Sequence, residues 1–344
     1  MSAQAQPLLE VRDLRTYLHL RSGVVRAVDG ASFTIQRGEA LGLVGESGSG
    51  KSMTCLSIMR IEPRPAAVIG GGQILLDGEN LLDKSLAEMR HVRGGRIGMI
   101  LQDPLNSLNP VLTIGDQLLE ALRLSYPNSD KADLRRQAAE ALDRVGIPNA
   151  EARLQSYPFE FSGGMCQRVA AAIAMVRSPD LLIADEPTTA LDVTSQAKFL
   201  GLLDELRRER GMSLLLVTHD LGIVAETCDR VAVMYGGRVV ETGPTREILS
   251  QPRHPYTQAL LRAVPHLDGP RMERLFQIAG EPPSIRAPQV GCAYAPRCDF
   301  AKDRCRTEAP PTLRYAGGES VACWMHAPEC APAAAVPAPA RSKP

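Results

Sequence analysis

The sequence predicts an α/β fold with a mainly parallel core sheet and an inserted helical block, and three observations predict it. Ala40 to Val44 is an apolar run that gives way to a glycine-rich loop and then to the helical stretch Met53 to Met59. Leu181 to Ala184 is a second apolar run, ending on the acids Asp185 and Glu186. Between them, Ile114, Leu118, Leu119 and Leu122 recur at helical spacing, and Lys131 to Val145 repeats the pattern. Short unbroken apolar runs are what strands covered on both faces look like, whereas three- and four-residue spacing marks one face of a helix.

Each element has its own signal. Leu9 to Leu14 reads as a strand ending near Tyr17, Arg21 to Val25 as a turn, and Val28 to Ile35 as a second strand. Gln73 to Leu76, closed by Asp77-Gly78, reads as a hairpin edge. These short strands predict an antiparallel β layer over the core. Ile97 to Leu101 is a strand ending on Gln102. The helix from Lys131 is expected to be capped by Ser129 or Asn128 and stopped by Gly146 and Pro148. Ser162 is the expected cap of a helix running to Val176, with Gly163 and Gly164 in its first turn. Thr189-Ala190-Leu191-Asp192 starts a further helix to Arg210, and Leu214 to Val217 is a strand whose C-terminal edge carries Thr218-His219-Asp220.

Composition narrows the function classes. Lys+Arg and Asp+Glu are both 39, so no global field attracts nucleic acid, and 4% aromatics argue against a base-stacking platform. No apolar run approaches the ~18 residues of a membrane span, and Met1 to Pro7 lacks the start of a signal peptide. A membrane role is therefore expected to be peripheral, on the cytoplasmic face. Eight cysteines in such a setting suggest metal or redox chemistry before disulfides.

The chemistry concentrates at Gly45-Glu46-Ser47-Gly48-Ser49-Gly50-Lys51-Ser52, which has the G-x-x-x-x-G-K-[ST] spacing of a phosphate-binding loop. Glycines let backbone N–H groups wrap phosphate oxygens where a Cβ would intrude. Lys51 is the expected partner of the β and γ phosphates and Ser52 a Mg²⁺ ligand, with the amides of the helix start, through Met53, adding their dipole. Glycines in a helix's first turn are costly, so Ser162, Gly163 and Gly164 point to a second close approach of an anion. An apolar strand ending in acid is the usual partner of such a loop. Asp185 fits the Mg²⁺ side and Glu186 a general base for water. His219, at the C-terminal edge of a parallel strand, is placed to face the phosphates.

Glycine-rich loop, strand-end Gln, S-G-G helix start, Asp-Glu pair, A-L-D turn and strand-end His occur here in one order. That pattern resembles the ATP-binding subunit of an ABC transporter, a P-loop NTPase of ABC type, over about Leu8 to Ala263. The resemblance implies ATP and Mg²⁺ as cofactors. It implies that Gln102 touches Mg²⁺ and water, and that Ser162, Gly163 and Gly164 close on the γ-phosphate of the opposite subunit. It further implies that Asp192 crosses the dimer and His219 holds the γ-phosphate end. I-L-Q-D-P-L-N-S-L-N-P, F-S-G-G-M-C-Q-R, D-E-P-T-T-A-L-D-V-T and P-T-R-E-I-L…H-P-Y-T-Q-A-L-L are similar to the dipeptide/oligopeptide/nickel importer ATPases. That branch implies a second, homologous ATPase subunit, two membrane permeases and an extracytoplasmic solute-binding protein. It implies import of di- or oligopeptides, with nickel, glutathione or another small solute as the alternative cargo, and a non-transport ABC ATPase as the rival class. Three positions depart from the pattern. Leu18 stands where the branch has an adenine-stacking Phe, leaving Tyr17 as the aromatic for that contact. Leu101 replaces a Phe, and Cys166 replaces an Arg near a helix N-terminus, where a thiol's pKa is either lowered or, if buried, raised.

The expected organisation is an ATPase domain over 8–258, with its helical lobe at about 103–178, then a Cys-rich extension over 259–326 and a disordered tail over 327–344. Cys292, Cys298, Cys305 and Cys323 follow C-x₅-C-x₆-C-x₁₇-C, which matches neither the C-x₂₋₄-C pairs of zinc sites nor the ferredoxin spacings. The resemblance implies a [4Fe–4S] cluster there in some members. Zinc, reduced thiols and disulfides stay open, and Cys55, Cys228 and Cys330 are read as bystanders.

Overall fold

The computed structural model describes residues 6–103, 107–189, 191–264, 276–315 and 318–327. Cys330, Ala190, Pro104 and all but Ala327 of the tail expected over 327–344 lie outside them; Ala327 itself is described and buried. β1 (Leu9–Leu20) and β2 (Gly23–Ile35) form a long hairpin turned at Arg21-Ser22. Both strands outrun the expected pieces, because Leu18, His19 and Leu20 pair with Val25, Val24 and Gly23 past the ladder's bulges. β3 (Ala40–Val44), buried throughout, leads through the loop into α1 (Lys51–Met59). β4 (Ala67–Leu76) and the short β5 (Glu79–Asn80) complete an antiparallel sheet of order β2-β1-β4-β5. α2 (Leu86–Val92) begins with a Ser85/Glu88 capping box, and β6 (Ile97–Ile100) follows.

The helical block contains α3 (Ile114–Arg123), α4 (Lys131–Arg144), the short α5 (Ala150–Arg153) and α6 (Gly163–Met175). Asp130, one residue past the expected Ser129, caps α4 by accepting from the Ala132 N–H at 3.1 Å. Its carboxylate also suits the positive end of the helix dipole. Gly146, at φ 73°, ends that unit as its sequence indicates. β7 (Leu181–Asp185), α7 (Val193–Arg210), β8 (Ser213–Thr218), α8 (Leu221–Thr227), β9 (Arg230–Tyr235) and β10 (Arg238–Pro244) come next. α9 (Thr245–Ser250), α10 (Pro255–Arg262), α11 (Asp303–Thr307), β11 (Thr312–Arg314) and β12 (Ser320–Ala322) close the described chain.

The second sheet has the order β11-β12-β10-β9-β3-β8-β7-β6, parallel from β9 to β6 and antiparallel at the other edge. Alternate residues of its central strands feed two cores, since strand side chains alternate faces. Leu41, Leu43, Ile183, Leu215 and Val217 pack under the antiparallel layer with α1. Val44, Leu182, Ala184, Leu214 and Leu216 pack against α3, α4, α6 and α7. Parallel register then levels the strand ends. Val44 pairs with Thr218, Val217 with Asp185 and Ala184 with Ile100. Residues that follow these positions in sequence therefore emerge side by side at one edge.

Candidate functional site

The loop after β3 is shaped by two glycines that other backbone leaves no room to replace. A Cβ on Gly45 would run into the Met234 carbonyl, and one on Gly50, at φ 106°, into the Ala27 carbonyl. Gly48, at φ 77°, faces open space instead, and Ser47 is exposed. The loop is also tied from outside, with the Gly237 N–H donating to the Ser49 carbonyl at 2.9 Å. Ser49 Oγ is buried without a hydrogen-bond partner, and Gly50 offers no side chain to cap α1. A buried hydroxyl and uncapped helix amides call for an acceptor at this spot, which suits an anionic oxygen.

Lys51 folds back beneath the loop. Its Nζ donates to the carbonyls of Gly45 at 2.8 Å and Glu46 at 3.1 Å. Burial pushes the ammonium down, and the carboxylates of Glu186 and Asp185 pull it back up. Ser52 Oγ donates to Asp185 Oδ1 at 3.1 Å, joining the first turn of α1 to the end of β7. Burial pushes the Asp185 carboxyl up, the Ser52 bond opposes this, and Glu186 adds to it. A hydroxyl and a carboxylate held together in this way are the hard oxygen ligands Mg²⁺ takes.

One residue on, Glu186 sits at φ 45°, a left-handed conformation unusual for a side chain of its size. Its N–H is held by the Val217 carbonyl at 2.9 Å, and Thr189 Oγ1 donates to its carbonyl at 3.1 Å. The carboxylate meets Gln102 and His219. Gln102 Nε2 donates to Oε2 at 3.0 Å, and His219 Nδ1 lies 3.5 Å from Oε1. The side chain of Glu186 is 17% exposed and that of His219 67%, so the base is walled in and the imidazole faces outward. Residues from the ends of β6, β7 and β8 thus converge beside the loop.

The remaining predicted residues form a second group. Ser162 caps α6 by accepting from the Met165 N–H at 3.4 Å. A Cβ on Gly164 would meet Leu191 at 3.2 Å, and Asp192 caps α7 through Ser195 N–H at 3.0 Å. Among the described residues, Ser162, Gly163, Gly164 and Asp192 make no hydrogen bond to the loop, Asp185 or Glu186. Tyr17 is engaged elsewhere. Its hydroxyl donates to Asp29 at 2.6 Å and Arg26 lies over its ring. The neighbouring Thr16 bonds Ser57 of α1, so alternation along β1 puts Leu18 on the α1 side and Tyr17 on the other. Cys166 is buried, and burial pushes its thiol up, so the helix start does not make it reactive.

Cys292, Cys298, Cys305 and Cys323 line one pocket with His254 and Trp324, and all four are free thiols. No group of three or more His, Cys, Asp or Glu among the described residues is arranged to hold a metal ion. Four sulfurs around a single zinc must approach to about 3.8 Å, given a Zn–S bond near 2.3 Å. The backbone N–H groups of Tyr294, Phe300 and Met325 favour the thiolates of Cys292, Cys298 and Cys323, each two residues earlier, against a larger opposing effect of burial. Burial pushes these thiols up, that of Cys323 to about 11. Four thiols lining one pocket are the kind of donor set that an iron–sulfur group takes.

Sequence reading missed what grips Glu46. Its carboxylate is held by both Arg297 Nη atoms, at 2.7 and 3.1 Å, and its N–H donates to Tyr256 Oη at 2.8 Å. The H-P-Y run marked Tyr256, but no sequence signal ties Arg297 to a residue so far back in the chain.

A phosphate loop, an acid at the end of β7 and a linked Glu–Gln–His group together define a nucleotide triphosphatase of the P-loop class. The description "ABC transporter" matches residues 28–189, and "Oligopeptide/dipeptide transporter, C-terminal region" matches 240–305. The chain is 48% identical over 321 residues to a probable peptide ABC transporter ATP-binding protein of Sinorhizobium fredii, covering 93% of this chain and 96% of that one. It is 45% identical to the oligopeptide transport ATP-binding protein OppD of Bacillus subtilis, covering 97% and 94%. A dimeric ATP-binding cassette in a post-hydrolysis state, bound to ADP and Pi, superposes with a TM-score of 0.62 at 26% identity, covering 69% of this chain and 99% of that one. The chain belongs to the ATP-binding subunits of ABC transporters, in the oligopeptide/dipeptide branch. It is an ATPase that binds ATP with Mg²⁺, and among the described residues no helix is long and apolar enough to cross a membrane.

Proposed function

We propose that this chain supplies the ATP-driven stroke for import of di- or oligopeptides, working as half of a two-ATPase unit on the cytoplasmic face of two membrane permeases. An extracytoplasmic binding protein would deliver the cargo. The names of the relatives support the peptide cargo. The observation that carries the mechanism is the meeting of Gln102, Glu186 and His219 beside the Ser52–Asp185 pair.

In this reading the loop amides from Gly45 to Met53 and Lys51 hold the phosphates. Lys51 exchanges its loop carbonyls for phosphate oxygens, a swap favoured because a buried ammonium gains a charged partner. Ser52, Asp185 and Gln102 would hold Mg²⁺, which would supply positive charge to the phosphoryl group in flight. Glu186, oriented by its constrained backbone, accepts the proton of the attacking water, and His219 holds the γ-phosphate end. The place that the branch gives to an adenine-stacking Phe falls to Leu18 on the α1 side, since Tyr17 faces the other way and is bonded to Asp29. Ser162, Gly163, Gly164 and Asp192 serve the partner's nucleotide, which fits their making no hydrogen bond, among the described residues, to this chain's own loop. Cys292, Cys298, Cys305 and Cys323 would hold a [4Fe–4S] cluster, which would supply a cross-link to a segment with little core of its own.

Glu186→Gln tests the mechanism. ATP binding should persist while turnover falls by at least about 100-fold, the usual scale of a general base. Turnover within a few-fold of the parent would remove Glu186 from that role.

A further inference from the structure

The phosphate loop and the cysteine pocket are joined by two separate routes that meet on Glu46. On one route, Arg297 sits immediately before Cys298 and closes on the Glu46 carboxylate with two bonds, at 2.7 and 3.1 Å. Its guanidinium also donates to Tyr235 Oη at 3.2 Å and to the Ile278 carbonyl at 3.2 Å, and its side chain is only 4% exposed. Tyr235 precedes Gly236-Gly237, and Gly237 N–H holds the Ser49 carbonyl. On the other route, His254 lines the cysteine pocket, and its Nδ1 accepts from the Tyr256 N–H at 3.0 Å. Tyr256 Oη then accepts from the Glu46 N–H. Tyr235, Tyr256 and Tyr294 pack between the two ends with ring centroids 4.4 to 5.4 Å apart, so the intervening space is filled by rigid side chains.

We propose that Arg297 is a positioning residue for nucleotide binding, and that through it and Tyr256 the arrangement of the cysteine pocket sets the affinity of the phosphate loop for ATP. This rests on the loop's role as the ATP site. Two physical reasons carry it. Glu46 is a carboxylate within a loop that must accept a polyanion, and Arg297 neutralises it. A bidentate guanidinium–carboxylate pair also fixes orientation as well as charge, so the loop's second residue cannot move unless the Cys298 turn moves with it. Reciprocity then requires that ATP on the loop steadies the pocket by the same free energy with which the pocket steadies ATP.

The test is ATP dissociation constants by calorimetry on the full chain, with melting temperatures alongside. Arg297→Gln should weaken ATP at least about tenfold, because it leaves a half-buried carboxylate unpaired beside the phosphates. Arg297→Lys, which keeps the charge but not the fork, should fall between the two. Adding Glu46→Gln to Arg297→Gln should recover part of the loss, an outcome that a general loosening of the fold does not produce. Cys298→Ser should also weaken ATP, but by a smaller factor in the Arg297→Gln background, where only the Tyr256 route remains. ATP affinity within twofold of the parent in folded Arg297→Gln overturns the proposal, as do Arg297→Gln and Cys298→Ser losses that simply multiply. If Cys298→Ser does not fold, the two Arg297 variants and the Glu46 pairing still decide it. Failure of the unaltered chain to bind ATP would instead strike the assignment of the loop.

Discussion

Asp185 shows how a residue can serve the site at the expense of the free fold. Burial raises its carboxyl above the ordinary value, with Glu186 beside it adding to the shift. A folded-state pKa above the unfolded one means that the folded protein binds the extra proton in the window between them. Stability is therefore lost as pH rises through that window, and at neutral pH the charged Asp185 destabilises the nucleotide-free chain. Asp185→Asn keeps an oxygen for the Ser52 hydroxyl and removes the charge. It should raise the nucleotide-free melting temperature by about 1–3 °C while abolishing Mg²⁺-dependent ATP binding. Scanning fluorimetry with and without Mg-ATP checks both. A lower melting temperature would show that the charge is compensated. The mirror case is Lys51, lowered by burial, whose charge becomes favourable only when phosphate replaces the Gly45 and Glu46 carbonyls.

At the scale of elements, the extension after α10 is built into the core rather than appended to it. β12 pairs with β10 through Glu241–Val321 and Thr242–Ser320, and β11 adds the edge beyond. Glu241 is buried and receives the N–H groups of Arg253 at 2.6 Å and His254 at 3.1 Å, fixing the turn that leads to Tyr256. The cysteine pocket therefore hangs on the sheet edge nearest β9 and the loop. Its thiols, pushed up by burial and facing N–H donors, are stabilised as thiolates only by a positive group. Protein purified without oxygen should carry about four irons and four sulfides per chain and a broad brown absorbance. Serine at Cys292 and Cys323 together should remove them. Iron-free parent protein with a normal melting temperature would sink the cluster.

At the scale of the whole molecule, the predicted site residues fall into two sets with no hydrogen bond between them among the described residues. Lys51, Ser52, Asp185, Glu186, Gln102 and His219 are linked into one group, while Ser162 to Gly164 and Asp192 are grouped around Leu191. A γ-phosphate held only by the first group lacks donors on its far side, and transition-state charge needs donors all round. Alone, the chain should bind ATP yet hydrolyse it slowly, and the homologous partner ATPase should raise turnover at least about tenfold. In the Glu186→Gln variant, ATP should drive association of the two ATPases, read by sedimentation. Full turnover by a strictly monomeric chain would contradict the shared site.

Most of the chemistry was legible in the sequence because it depends on short local signals. A glycine-rich loop between strand and helix, an acid pair at a strand end and a cap before two glycines each announce themselves within a few residues. The helical block and the two layers followed from hydrophobic period alone, while cap Asp130 and the longer β1–β2 hairpin needed coordinates. Only the tertiary structure decided what meets what. Parallel register pairs Ile100 with Ala184 and Asp185 with Val217, and so brings the residues just beyond, Gln102, Glu186 and His219, together. Alternation along β1 puts Leu18, not Tyr17, on the α1 side. The grip of Arg297 on Glu46 spans 251 residues and leaves no local mark, because a salt bridge is specified by where two chain segments end up in space.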